Sequence, residues 1–93
     1  MHIYYVYILT NLTKTVLYTG VTNDIERRLR EHREGRIRGF SSTYRVYHLV
    51  HLETYQWVQD AIKREKFIKG KNRAWKEALI SERNPNWVFM DAP

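Results

Sequence analysis

Tyr5-Val6-Tyr7, then Tyr18-Thr19-Gly20, then Asn23-Asp24-Ile25-Glu26-Arg27-Arg28-Leu29-Arg30-Glu31-His32: this succession decides the fold. Residues 3–9 form an almost unbroken β-branched and aromatic run, as in a strand buried on both faces and so central in its sheet. Asn11 and its polar neighbours mark a turn in residues 10–15, and residues 16–19 resume strand character before Gly20, which predicts a hairpin with a short loop. Paired strands bring side chains to about 5 Å. Tyr7 and Tyr18 therefore share a face if the register sets them there, and the sequence does not fix that register.

The third stretch predicts a helix. Asn23 or Asp24 caps it, Glu26 completes a capping-box pattern with Asn23, and Gly35 stops it after about Glu34. Ile25, Leu29 and His32 stand at i, i+4 and i+7 and define the inward stripe; Arg28 flanks them one turn before His32, while Arg27, Arg30 and Glu31 point to water. Arg28 alone reads as a snorkelling arginine and His32 alone as a capped imidazole. Their shared edge beside two tyrosines favours a site.

Working outward, residues 35–44 are glycine-punctuated, basic and hydroxyl-rich, a composition that suits either a linker or a surface loop touching phosphate oxygens. Residues 46–52 alternate as a third strand, with Val46, His48, Val50 and Leu52 on one face and Tyr47, Leu49 and His51 on the other. That alternation separates His48 from His51 and argues against a metal pair. A second helix is expected over residues 56–69, with Val58, Ala61, Ile62 and Ile68 as its apolar face and Glu65 in the middle of that stripe. Burying an ionised carboxylate without compensation costs several kcal/mol. An exposed i,i+4 pair with Lys69 contributes only a few tenths of a kcal/mol, too little to offset burial. Glu65 therefore calls for a cation, donors or a hard metal ion such as Mg²⁺, which keeps most of its waters and needs few protein ligands.

Asn72 caps a last helix reaching about Glu82, with Ala74, Trp75, Ala78 and Leu79 as its packing face, and Trp87 closes over the core after the Asn84-Pro85-Asn86 turn. The 93 residues allow one domain, residues 1–93, with a modest core. No stretch approaches the roughly 20 apolar residues of a membrane span. No signal-peptide pattern opens the chain and it contains no cysteine, so the expected location is the cytoplasm, with nucleoid association as a variant. Sixteen Lys and Arg against ten Asp and Glu give a formal charge of +6, which favours a polyanion; charge serving only solubility is the plainer alternative. No phosphate-cradling glycine loop or zinc spacing is present, which removes support from nucleotide-cofactor enzymes and zinc modules.

Taken together, Tyr-Val-Tyr, Tyr-Thr-Gly about ten residues later, the Asn-Asp-Ile-Glu-Arg-Arg-Leu-Arg-Glu-His helix and the later Arg-Glu-Lys at residues 64–66 resemble the GIY-YIG nuclease superfamily over nearly the whole chain. The likeness is greatest to the small stand-alone bacterial members. It implies an α/β (α+β) fold: a three-stranded antiparallel sheet flanked by about three helices. It also implies a catalytic surface of Tyr7, Tyr18, Arg28, His32 and Glu65, with Glu65 holding one divalent ion, Mg²⁺ or Mn²⁺. Asn84 is the preferred match for a supporting family asparagine, with Asn72 as the alternative. The implied activity is metal-dependent endonucleolytic hydrolysis of DNA, including structured or repair-related substrates, with RNA as the alternative polyanion. Arg27, Arg36, Arg38, Ser41, Ser42, Lys66, Lys69 and Asn84 are the residues expected to meet the nucleic acid. In that chemistry Arg28 neutralises charge on the phosphorane, and the base is one of Tyr18, Tyr7 and His32. A phenol of pKa near 10 is a poor base at pH 7 unless a nearby cation lowers it by about 1 to 3 units, as Arg28 or the metal would. The competing expectations are a non-catalytic basic DNA- or RNA-binding domain that keeps the fold, and a basic protein-interaction domain. Substrate structure and oligomeric state are left open.

Overall fold

The computed structural model describes residues 2–37, 39 and 43–93. Three strands form one antiparallel sheet: β1 (Tyr4–Thr10), β2 (Leu17–Thr22) and β3 (His48–Tyr55), in the order β2-β1-β3. β1 is central, as its unbroken apolar run requires, and Val6, Tyr7, Ile8 and Leu9 are fully buried. Among the described residues, three helices flank the sheet: α1 (Ile25–Arg33), α2 (Val58–Lys69) and α3 (Arg73–Arg83). Asp24 caps α1 by accepting from the Arg27 backbone N–H at 3.0 Å, which leaves the Asn23–Glu26 pattern unused. Gly35 follows with φ 73°, the left-handed conformation that glycine takes without a Cβ penalty.

The sheet has a hydrophobic layer on each face. Val6, Ile8 and Val50 pack with Ala61 and Ile68 of α2 and Ile80 of α3, while Tyr7, Leu9 and Leu49 pack with Ile25 and Leu29 of α1 and with Val46. Each fully buried aliphatic side chain contributes roughly 1.5–3 kcal/mol. α1 therefore lies on one face and α2 and α3 on the other. The alternating side chains of β1 serve both layers.

The structure departs from the sequence expectations at several points. β2 continues through Gly20 to Thr22, because its backbone keeps pairing with Tyr5 and Val6. β3 begins and ends later than residues 46–52, and a bulge at Val50 breaks its alternation: Ile8 pairs with His51, whereas Leu9 pairs with Leu49. Leu49 and Leu52 consequently fall on the Tyr7 face, and His48 and His51 lie opposite Thr10 and Ile8, which share a face. On α2 the buried stripe is Ala61 and Ile68, with Arg64 and Glu65 half-buried between them; Val58 and Ile62 are exposed. The stripe is rotated by about one residue because the polar pair is satisfied by partners in the fold. On α3 it is Trp75, Leu79 and Ile80 that turn inward, while Ala74 and Ala78 are exposed.

Hydrogen bonds, both local and long-range, fix the remaining chain. Asn72 caps α3 through the Trp75 N–H at 2.9 Å, and Arg73 donates from Nη2 to the Lys14 carbonyl at 3.2 Å, tying α3 to the β1–β2 turn. In the tail, Met90 N–H donates to the Leu49 carbonyl at 2.8 Å, forming an isolated bridge outside β3. Trp87 packs on the α2 and α3 side of the sheet, as expected, and its indole N–H donates to Ser81 Oγ at 3.1 Å.

Candidate active site

The register sets Tyr7 opposite Gly20 and Leu9 opposite Tyr18, so the two phenols lie diagonally on the face covered by α1. Their ring centroids are 6.3 Å apart. A Cβ at position 20 would overlap Cζ and the hydroxyl oxygen of Tyr7; the phenol crosses β2 through the space that glycine leaves. That is a structural reason for the glycine in the second triplet.

α1 delivers the partners. Its apolar stripe buries Ile25, Leu29 and His32 as its spacing predicts, and Arg28 reaches across from the edge of that stripe. His32 Nε2 lies 3.1 Å from Tyr7 Oη, and Arg28 Nε donates to the same oxygen at 3.4 Å. The Tyr18 ring meets the His32 imidazole edge-on at 4.9 Å. Arg28 also pairs with Glu31 through Nη1 at 3.4 Å, and its side chain retains 34% exposure, so part of the guanidinium faces solvent. Tyr7, Tyr18, Arg28 and His32 thus converge.

Burial governs the electrostatics of this cluster. It pushes the Tyr7 phenol up to about 12, overriding the hydrogen bond from Arg28 that pulls the other way, and the Tyr18 and Glu65 charges add to the rise. The expected lowering by Arg28 is present but outweighed by burial. Burial, reinforced by the Arg28 charge, pushes His32 down to about 4, so the imidazole is neutral at pH 7 and, in the tautomer with its proton on Nδ1, can accept from the phenol. For Arg28, burial opposes the charged form, but the Tyr7 and Glu31 interactions outweigh it and the guanidinium stays charged.

Glu65 projects from α2 with its side chain 13% exposed, close enough that its charge acts on the Tyr7 phenol. It is paired with Lys69 Nζ at 3.1 Å, the i,i+4 contact that their spacing allows. Lys69 keeps 53% of its side chain exposed beside this pair. Arg36 is paired with Glu34 at 3.0 Å, and Arg27 and Lys66 are exposed. Arg38, Ser41 and Ser42 lie outside the described residues. Asn84 turns both amide hydrogens to carbonyls, those of Val50 and Val88 at 3.0 Å each, and its Oδ1 accepts from Val88 N–H. Its amide donors are thus occupied by β3 and the tail. Asn72 is likewise occupied as a helix cap.

A second polar cluster, which the sequence did not suggest, lies on the other face. Glu53 accepts from Arg64 through Nε at 2.9 Å and Nη2 at 3.1 Å, from Tyr55 Oη at 2.7 Å and from His51 Nε2 at 2.8 Å. Burial alone would raise this carboxyl, but these bonds outweigh it and hold it well below the usual carboxylate range. The available signal was the period-2 spacing of His51, Glu53 and Tyr55 on one strand face.

Residues 3–78 match the family described as the GIY-YIG catalytic domain. A UPF0213 protein of Syntrophus aciditrophicus is 45% identical over 82 residues, covering 87% of this chain and 92% of that protein. Another from Natronomonas pharaonis is 38% identical over 79 residues, covering 85% and 92%. Among solved structures, the solution NMR structure of the UPF0213 protein BH0048 from Bacillus halodurans aligns with a TM-score of 0.58 at 28% identity, covering 91% of this chain and 89% of that one. The names of these relatives state no activity.

Proposed function

Because this chain belongs to the GIY-YIG catalytic-domain family, whose members are generally nucleases, we propose that it is a divalent-metal-dependent endonuclease acting on DNA in the cytoplasm. The observation that carries this reading is the buried Tyr7 hydroxyl held between the Arg28 cation and the neutral His32 imidazole. A solvent-excluded phenol with a donor on one side and an acceptor on the other is prepared to pass a proton.

Burial opposes both the ionised phenol and the protonated imidazole, so neither group is a free-standing base at pH 7. The contact between them supports a relay in which Tyr7 takes the proton of the attacking water while handing its own to His32. Tyr7 is then a relay, His32 the terminal acceptor, and the Tyr18 ring holds the imidazole in plane. The solvent-facing part of Arg28 meets the phosphoryl oxygens and stabilises the charge that develops there.

Glu65 is the residue that would hold the metal. It offers one largely buried carboxylate, its partner Lys69 is half exposed and able to turn away, and no group of three His, Cys, Asp or Glu gathers among the described residues. That donor set suits a mostly hydrated Mg²⁺ or Mn²⁺. When bound, the ion supplies Lewis-acid stabilisation of the phosphoryl and leaving oxygens. One observation favours a silent binder instead: the Glu65–Lys69 pair satisfies the carboxylate without a metal.

The test is cleavage of linear, flapped, branched and single-stranded DNA and of RNA, with Mg²⁺, Mn²⁺ or chelator. Glu65→Gln should lower metal-dependent cleavage at least ~100-fold while DNA binding persists. Undiminished cleavage by that variant refutes the assignment of Glu65, and no product on any substrate favours the binder.

A further inference from the structure

Beside the catalytic cluster, the C-terminal end of α1 and the segment entering β3 enclose a cavity of about 240 Å³ lined by His32, Arg33, Glu34, Gly35, Arg45 and Tyr47. His32 is shared between this cavity and the Tyr7 hydroxyl, so one imidazole ring separates the two. The volume equals that of about eight waters, ample for a hydrated phosphate group. Resting on the nuclease reading, we propose that this cavity seats the substrate phosphate next to the one cleaved, with Arg33 and Arg45 as its cationic ligands and the Tyr47 hydroxyl as a neutral donor.

The charge balance supports an anion. Neither Arg33 nor Arg45 makes an ion pair with any described residue. The carboxylate in the lining, Glu34, is already paired with Arg36 at 3.0 Å. The carbonyl end of α1 opposes an anion by the equivalent of about half a charge. Two unpaired guanidinium groups exceed that.

Position gives the site a direction. Arg33 and Tyr47 also line a neighbouring cavity of about 460 Å³, which contains the stacked rings of His48 and Phe89, 4.1 Å apart, and the carboxylates Glu26 and Asp91. Those carboxylates repel a phosphate, so the anion belongs on the Arg45 side. Arg45 also holds φ 54°, a left-handed conformation uncommon for a residue with a side chain. It carries a guanidinium at a position where glycine would be unstrained.

The test uses the full chain carrying Glu65→Gln, so that binding is read without turnover. Affinity for a labelled oligonucleotide is measured across a salt series for Arg33→Gln, Arg45→Gln, Arg45→Lys and, as an equal charge loss elsewhere, Arg73→Gln. Each phosphate interaction removed should reduce the slope of log affinity against log salt by about 0.7 to 0.9. We expect that reduction for Arg33→Gln and Arg45→Gln, recovery in Arg45→Lys, and the parental slope in Arg73→Gln. In the Glu65-intact protein, Arg45→Gln should raise KM about tenfold with kcat within twofold. Parental slopes in both glutamine variants, or a reduction equalled by Arg73→Gln, overturn the proposal. Because the slopes are measured without cleavage, an inactive parent would refute the nuclease reading, while the slopes would still decide for or against a phosphate in this cavity.

Discussion

The sheet separates two buried polar clusters built from similar parts, and they differ in how far their charges are matched from within. On the α2 side, Glu53 is the acceptor for Arg64, Tyr55 and His51; its charge is matched within the cluster. On the α1 side, the central group is a neutral phenol, the imidazole beside it is also neutral, and Arg28 keeps an outward face. The first cluster is saturated and serves as a clamp between β3 and α2. The second holds a cation that is paired with Glu31 at 3.4 Å and still keeps part of its guanidinium toward solvent.

Breaking the clamp should give the largest effect on stability. Removing one partner of a buried ion pair costs about 3–5 kcal/mol, so Glu53→Ala is expected to lose that much in chemical denaturation. Tyr7→Phe should lose only about 1 kcal/mol while cutting cleavage at least ~100-fold. Equal stability losses in the two variants would erase the distinction. The clamp also has a pH signature: a carboxyl held below its ordinary value contributes above about 4.5, and that contribution is lost as pH falls further. Glu53→Ala should therefore have a flatter stability curve below about pH 4.5 than the parent.

Gly20→Ala comes next, because its methyl group needs the space of the Tyr7 ring. Overpacking of this kind costs about 1–3 kcal/mol, measurable as a shifted denaturation midpoint. Cleavage should fall by more than stability implies, since the phenol loses its place between Arg28 and His32. A variant as active as the parent would show that Tyr7 tolerates displacement.

The smallest effect is the pH dependence of His32. Between about pH 6.5 and 4 the unfolded chain takes a proton at this position that the native imidazole refuses, so stability falls as pH drops through that window. His32→Gln should flatten the fall. In the active enzyme the cleavage rate should show no break near pH 6.5, where an unperturbed histidine titrates. A clear limb at that pH would mean that water reaches the ring.

The strands, their hairpin order and the inward face of α1 were readable in the sequence because they rest on local periodicity: Ile25, Leu29 and His32 recur at helical spacing and are buried accordingly. Glu65 was readable as an inward carboxylate, but its partner is Lys69, the i,i+4 pair that its burial seemed to exclude. What escaped depended on distant partners. Val58 and Ile62 look inward by composition, yet α2 is turned so that Arg64 meets Glu53 and Glu65 approaches Tyr7. The bulge at Val50 changes which side chains share a face, and pattern alone carries no sign of it. The effect of Arg28 on Tyr7 had the expected direction, but its outcome required knowing how deeply the ring is buried.

The bridge between Met90 and Leu49 has a consequence for self-association. β3 is an outer strand, and an outer strand offers unpaired backbone groups on which another chain's strand can grow. By occupying the Leu49 carbonyl from within, and by fastening Asn84 to Val50, the tail takes up acceptors along that margin. The tail thus covers part of the β3 edge, the backbone on which another chain's strand would otherwise pair.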